Sequence, residues 1–216
     1  MVAGMAIAPK ILASEKTSGG QAMDSFWEVI KKRRSVRNFR PAPIPEEHLL
    51  KIVDAARMAP CAGNEQPWKF IIVQDKNLIE ALKNECIKRI EIQLKESMNL
   101  SGDALKEELK KRVDSWITGR LSAPAYIVVL TDGQRKWPDY NQHDGPLAAG
   151  YLLLAARALG YGTVYMTDSI SVEATKKVLN IPDRYIRVCI TPVGIPVEWP
   201  TVEKKPLDDF IVKDSF

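Results

Sequence analysis

The stretch "GPLAAGYLLLAARALG", Gly145 to Gly160, restricts the fold more than any other part of the sequence. It is apolar nearly all round, so no face is reserved for water. A helix of that kind is stable only when other parts of the protein, or another protein, cover it on every side. The pattern predicts a central helix that stops at Gly160, where glycine accepts the left-handed turn that ends many helices. A membrane span is excluded by the same residues. The run falls short of about 20 apolar positions and carries Arg157.

The flanking segments supply candidates to cover it. Ser25 and Glu28 have capping-box spacing and, with Phe26 and Ile30, predict a helix that carries Arg33 and Arg34 at its end near Ser35. Pro45, Glu46 and Glu47 start a second helix, with Leu49, Leu50, Val53 and Ala56 on its apolar face and a stop at Pro60. "KFIIVQD" reads as a strand. Asp75 then caps a long charged helix on which Leu78, Leu82, Cys86 and Ile90 recur at i, i+4. From Lys88 to Gly119 the chain is rich in Lys and Glu and is broken by "NLSGD". This predicts two helical pieces forming a mobile excursion, with Trp116 and Ile117 returning to the core. "AYIVVLTD" reads as a buried strand. "GTVYMT" and "IRVCITPVG" are further strands, separated by a helix capped by Ser171, and "FIV" near the C-terminus is a last short one. Strands alternating with helices place helices on both faces of a sheet, an α+β arrangement whose strand directions the order alone leaves open.

A chain of 216 residues suits one domain with a sizeable core. Residues 1–22 read as a flexible leader and 23–216 as the single domain. The apolar stretch near Lys10 has no basic run ahead of it, which argues against a secretory signal. The net charge of +4, from 31 basic and 27 acidic residues, is too small and too mixed for a dedicated nucleic-acid binder. Cys61, Cys86 and Cys189 show no CxxC spacing, and the histidines are His48 and His143. No zinc site, His-rich metal centre or disulfide framework is expected, and a reducing cytoplasm suits the composition.

Two short stretches stand out chemically. "RRSVRNF", Arg33 to Phe39, packs three arginines and a serine into seven positions. It reads as a solvated helix end, as a nucleic-acid patch within "KKRRSVR", or as a phosphate pocket of guanidiniums and a hydroxyl. "APCAGNEQPW", Ala59 to Trp68, is either a plain helix-to-strand connector or a loop offering its backbone and the amides of Asn64 and Gln66 to a planar ring. Neither holds an evident acid–base catalyst. "LGYGT" follows a helix rather than a strand, so no dinucleotide fingerprint is present.

In order along the chain, these two stretches, "GPLAAGYLLLAARALGYGT" and "PVGIPVEWPTVEKKPLDDFIV" resemble the nitroreductase family of flavin mononucleotide (FMN) enzymes over roughly residues 25–213. The resemblance implies a three-layer α/β/α nitroreductase-like fold, with a mixed, mostly antiparallel sheet between helices. It also implies an interlocked homodimer whose flavin sites draw on both subunits. FMN would be held noncovalently, its phosphate gripped by Arg33 and Ser35 and its phosphate or ribityl chain by Arg34. Arg37 would sit at the N1/O2 edge of the ring, where a cation stabilises the reduced flavin. Pro60, Cys61, Asn64 and Gln66 belong to the implied ring loop. Cys61 stands where the family usually has serine, as a simple replacement or as a reactive thiol. Tyr165, Met166 and Thr167 correspond to the loop facing N5 and O4. "EKKP" puts Lys204 and Lys205 at the phosphate, where the family often has arginine.

The activity implied is hydride transfer from NAD(P)H through bound FMN to a planar nitro- or halo-aromatic or quinone-like acceptor, one pocket serving both in ping-pong fashion. "LKKRVDSWITGRLSAP", Leu109 to Pro124, resembles the iodotyrosine deiodinase branch, which clamps an aromatic amino acid with a lid Glu, Tyr and Lys. Glu96 and either Lys110 or Lys111 are the candidates here, and no tyrosine lies between Gln74 and Pro124. The plain alternative for those charges is a solvated helix pair. A reductive dehalogenase of that type and a flavin-binding protein without turnover are the rival functions. The expected partners are a second copy and a small aromatic substrate, with no nucleic acid and no membrane.

Overall fold

The computed structural model describes residues 25–215, and the expected leader at 1–22 lies outside the described residues. Its elements in chain order are α1 (Phe26–Lys32), α2 (Glu46–Ala56), β1 (Trp68–Val73), α3 (Lys76–Met98), α4 (Gly102–Thr118), β2 (Ala125–Asp132), α5 (Asn141–Ala158), β3 (Gly162–Thr163), α6 (Val172–Leu179) and β4 (Tyr185–Gly194). β2 shows why there are three layers. Its side chains are apolar at odd and even positions alike, so both faces of the strand must be covered. Tyr126, Val128 and Leu130 join one core with Leu82, Cys86 and Ile90 of α3, against which α4 and α6 also pack. Ala125, Ile127 and Val129 join the other with Leu49, Ile52 and Ala56 of α2 and Ala149, Leu152 and Ala156 of α5.

The sheet order is β1–β2–β4–β3, and each named pair is antiparallel. Among the described residues the parallel component is one bridge between Ser35 and Thr163. There the Val36 N–H donates to the Thr163 carbonyl at 2.9 Å, and Phe39 makes an antiparallel bridge to Pro196. The segment "SVRNF" therefore runs along the β3 edge as an irregular outer strand. Gly162 permits this close approach. A Cβ at that position would lie 2.7 Å from Val36 Cβ.

Several boundaries differ from the sequence expectations. α1 ends at Lys32, and Arg33 is already extended, because the chain turns there to pair with β3. α2 stops at Ala56, short of Pro60, and Leu50 is half-exposed while Ile52 takes the inward position. On α3, Ile79 rather than Leu78 faces the core. The first helical piece of the excursion is the continuation of α3. It breaks at Asn99, which closes α3 in the left-handed conformation. Trp116 packs on the core as expected, while the Ile117 side chain lies outside the described residues. "GTVYMT" is paired over only two residues plus a Met166 bridge to Ile190, since the chain bends away after Thr163. "FIV" forms no strand among the described residues. Leu207–Phe210 is a short 3₁₀ turn on an exposed arm with no sheet edge beside it.

The central helix behaves as expected at its end, with Gly160 in the left-handed region at φ +84°. Within one chain its covering is incomplete. Ala148, Ala149, Leu152 and Ala156 are buried, but Leu147 and Tyr151 are 45% and 42% exposed. Among the described residues no helix is long and apolar enough to cross a membrane.

Gly162→Ala should force Val36 off the β3 edge. The expected cost is about 2 kcal/mol, the middle of the range for overpacking a tight core site. That is a fall in melting temperature of roughly 4–8 °C for a domain of this size, read by thermal denaturation.

Candidate active site

Where the chain leaves α1, Arg33, Arg34 and Arg37 follow one another along the β3 edge. Among the described residues none of the three is ion-paired, which is unusual for three guanidiniums within five residues. Arg34 donates from Nη1 to the carbonyls of Lys31 at 2.6 Å and Arg33 at 2.8 Å, while its buried Nε has no partner. Arg37 donates to the Ser35 carbonyl at 3.4 Å. Burial, and then the neighbouring Arg34 charge, hold the Arg33 guanidinium below its ordinary value. A dianion with several acceptor oxygens is the natural neutraliser for such a cluster.

Arg37 opens onto a cleft of about 290 Å³ whose other walls include Gln93, Trp116, Arg120, Tyr165, Thr167 and Asp168. The end of α4 is brought there by a close backbone approach. A Cβ on Gly119 would meet the Arg37 carbonyl at 3.1 Å, and the Phe39 N–H donates to Ser122 Oγ at 3.3 Å. Arg120 stacks on Trp116, its guanidinium carbon 4.3 Å from the ring centroid. Burial, then Arg37, lower its pKa. The far wall is the loop after β3. Arg187, itself buried, donates to the carbonyls of Thr167 and, at 2.7 Å, Ile170, and to Thr175 Oγ1 at 2.8 Å, so this loop is clamped from beneath. Met166 points into the core, Tyr165 is part-exposed with a phenol raised by burial, and Thr167 lines the cleft. The structure thus brings Arg37, Tyr165, Met166 and Thr167 together.

The second stretch lies elsewhere. "APCAGNEQPW" leads into β1, and β1 and β3 are opposite edges of the sheet. Three strand spacings, roughly 14 Å, separate those edges. The loop is tightly held. Gly63, Asn64 and Gln66 all have positive φ, a conformation that costs energy at Asn and Gln and persists only where the surroundings enforce it. What enforces it is a buried ion network. Arg135 pairs with Asp144 at 2.5 Å and with Glu65 at 2.8 Å, its side chain 4% exposed. Asp144 accepts the Ala62 N–H at 3.2 Å, and Arg135 donates to the Ala62 carbonyl, also at 3.2 Å. Glu65 in turn accepts the Lys136 N–H at 3.0 Å. Within the loop the Gln66 N–H donates to Cys61 Sγ at 3.2 Å, while Pro60, Asn64 and Gln66 are exposed. Of the three thiols Cys61 is the accessible one. Burial pushes Cys86 up to about 12 and Cys189 up to about 11.

The remaining sequence candidates stand apart from the cleft. Lys204 and Lys205 are exposed on the C-terminal arm. Glu96 on α3 and Lys110 and Lys111 on α4 are exposed, and the excursion meets the cleft through Ile90, Gln93 and Trp116 instead. Sequence reasoning missed Arg120 and Trp116 as a stacked pair, although their i, i+4 spacing was a legible signal. It also missed the Arg135–Asp144–Glu65 network. Asp144, in the first turn of α5, carries no local mark of burial, and Glu65 and Ala62 are distant from Arg135 and Asp144 in sequence.

The family model for nitroreductases, "Nitroreductase family", matches residues 30–195. A Thermotoga neapolitana protein named iodotyrosine deiodinase is 32% identical over 191 residues, 88% of this chain and 98% of that one. A Methanothermobacter thermautotrophicus protein, provisionally named NADH dehydrogenase/NAD(P)H nitroreductase, is 30% identical over 179 residues, covering 80% and 78%. Among solved structures, an oxidized iodotyrosine deiodinase bound to FMN and 3-iodo-L-tyrosine superposes with a TM-score of 0.72 at 28% identity, over 89% of this chain and all of that one. The chain belongs to the nitroreductase family, with its α+β fold, and is in the broad sense a flavin oxidoreductase.

Replacing Arg135 by Met should strand the buried Asp144 carboxylate, leave the part-exposed Glu65 unpaired and release the Ala62 loop. Breaking a buried pair from one side costs about 3–5 kcal/mol. Urea unfolding should show the loss as a lower midpoint at unchanged slope.

Proposed function

We propose that this protein is an FMN-dependent oxidoreductase that takes hydride from NAD(P)H and delivers it to a planar nitro- or halo-aromatic or quinone-like acceptor. The observation that carries the reading is the run of unpaired guanidiniums at Arg33, Arg34 and Arg37, with the buried Arg34 Nε left without an acceptor. Those donors fit a phosphate ester in charge and in number. Arg33, Arg34 and Ser35 bind the phosphate end, and Lys204 and Lys205 add charge to it from the exposed C-terminal arm. The unpaired arginine run, the small cleft beside Arg37 and the FMN-bound structural relative all support this assignment.

When bound, FMN supplies the two-electron chemistry between the two substrates. The protein's part is position and charge. Arg37 holds a fixed positive charge at the pyrimidine edge, which favours the electron-rich reduced state. Thr167 and Tyr165 offer hydroxyls to the N5/O4 side, on a loop that Arg187 keeps rigid. Trp116 and Tyr165 are the aromatic walls against which a flat acceptor stacks. The α3–α4 pair, with Glu96, Lys110 and Lys111 on its outer surface, acts as the lid that excludes water.

Such a site is built by two copies of the chain. Cys61, Asn64 and Gln66 lie at the β1 edge and reach a flavin at the β3 edge of a partner rather than of their own chain. The unburied side of α5 and an apolar groove of about 460 Å³ lined by Phe26, Val29, Tyr151 and Leu154 give a second copy its surface. The exposed Leu207, Phe210 and Trp199 on the C-terminal arm give it a strap. A solvent-exposed apolar area of this kind is characteristic of obligate interfaces.

The purified protein should be yellow with releasable FMN and should oxidise NAD(P)H with parallel double-reciprocal lines against a nitroaromatic. Arg33→Ala should weaken FMN binding by about ten-fold or more, as expected for a charge-assisted contact to phosphate. Arg37→Ala should slow flavin reduction more than it weakens binding. A protein that takes up no FMN, or binds it without being reduced, contradicts the assignment.

A further inference from the structure

The charged side chains lining the cleft are Arg37, Arg120 and Asp168, two guanidiniums against one carboxylate. Neither arginine is ion-paired among the described residues. Asp168 shares the cleft lining but makes no ion pair with either arginine among the described residues. Two like charges facing one cleft disfavour each other and favour an anion between them. In the flavin reading Arg37 is committed to the cofactor and Arg33 and Arg34 to its phosphate, which leaves Arg120 without a partner of its own. Its guanidinium carbon lies over the Trp116 ring, 4.3 Å from the centroid. A face-stacked guanidinium keeps its in-plane N–H groups free for a planar, bidentate acceptor.

We propose that Arg120, held on Trp116, is the specificity-determining cation of this cleft and selects aromatic substrates that carry a carboxylate over their neutral counterparts. The inference rests on the flavin reading above for the chemistry done on those substrates. It replaces the lid lysines as the source of the cation, since Lys110 and Lys111 are exposed and do not line the cleft. The same cleft supplies what the ring of such a substrate needs, with Trp116 and Tyr165 as aromatic walls and the Gln93 amide as a further polar group.

The test is calorimetric titration of the FMN-loaded protein with 4-nitrobenzoate and with 4-nitrobenzamide, which differ in charge and little in shape. The benzoate should bind about ten-fold tighter or more, the size expected for a charge-assisted pair in a partly buried site. Arg120→Gln should erase that gap while shifting the affinities for the amide and for FMN less than about two-fold, and Arg120→Lys should restore part of it, since lysine keeps the charge without the fork. Equal affinities for the two ligands in the unchanged protein overturn the proposal. So does a gap that survives Arg120→Gln, or a loss of FMN affinity in that variant, which would put Arg120 in the cofactor site. The heat signal needs no flavin. A protein that takes up no FMN therefore overturns the flavin reading separately, and the benzoate gap on the flavin-free chain still decides this one.

Discussion

Three guanidiniums in five residues, with no carboxylate among the described residues to neutralise them, lie along one edge of the sheet, and the architecture around that edge depends on keeping them there. Mutual repulsion would drive Arg33, Arg34 and Arg37 apart if the backbone between them were free. It is not free. The Val36 N–H is bonded to Thr163, Val36 fills the space that Gly162 leaves, and Phe39 pairs with Pro196. The apolar residues of "RRSVRNF" are thus the anchors that fix its arginines. Charge and packing alternate in the motif because one serves the other. Arg120 adds a fourth cation from the end of α4 through an approach that only glycine at 119 permits.

The opposite edge is governed by a second electrostatic device of the other kind. The loop before β1 bends through three positive-φ residues and is held there by a compensated buried network, Arg135 with Asp144 and Glu65. One edge of the sheet is therefore rigid because its charges are paired, and the other is receptive because its charges are not. The single chain keeps these two halves apart. In the dimer we propose, a partner related by two-fold symmetry would lay the β1-edge loop of one copy beside the β3-edge arginines of the other, and would cover the exposed side of α5 in the same step. In this account the apolar character of "GPLAAGYLLLAARALG" and the division of the flavin site between edges are two consequences of one assembly.

Much of the fold was legible in the sequence where the signal was local. Ser25, Asp75 and Ser171 cap the helices their spacing announced. "AYIVVLTD" is the doubly buried strand its unbroken apolar run implied, and Gly160 ends the central helix. The errors arose where tertiary pairing overrides local pattern. α1 stops early because Ser35 is drawn to Thr163. "GTVYMT" has strand composition along its length but pairs over two residues, since the chain leaves β4 to form the clamped loop under the cleft. Of the candidate site residues, Arg37, Tyr165, Met166 and Thr167 line one cleft, while Arg33, Arg34 and Ser35 lie outside its lining. Its second cation, Arg120, lies just past α4; the i, i+4 spacing to Trp116 was legible, but its approach to Arg37 depends on how Gly119 meets the Arg37 backbone. Asp144 and Arg135 were hidden for a related reason. Burial of a charge is decided by its partner, and Glu65 is 70 residues from Arg135.

The central claim is that the unpaired arginines exist to hold a phosphate, and comparing FMN with riboflavin, which lacks only that phosphate, tests it most directly. Thermal denaturation of the flavin-free protein should be measured with each at equal concentration. A ligand present at about 100 times its dissociation constant stabilises the folded state by about 2.7 kcal/mol, which is roughly 5–10 °C for a chain of this length. FMN should produce a shift of that order and riboflavin only a small fraction of it, with the difference shrinking in Arg33→Ala. Equal shifts from the two flavins, or none from either, would contradict the account.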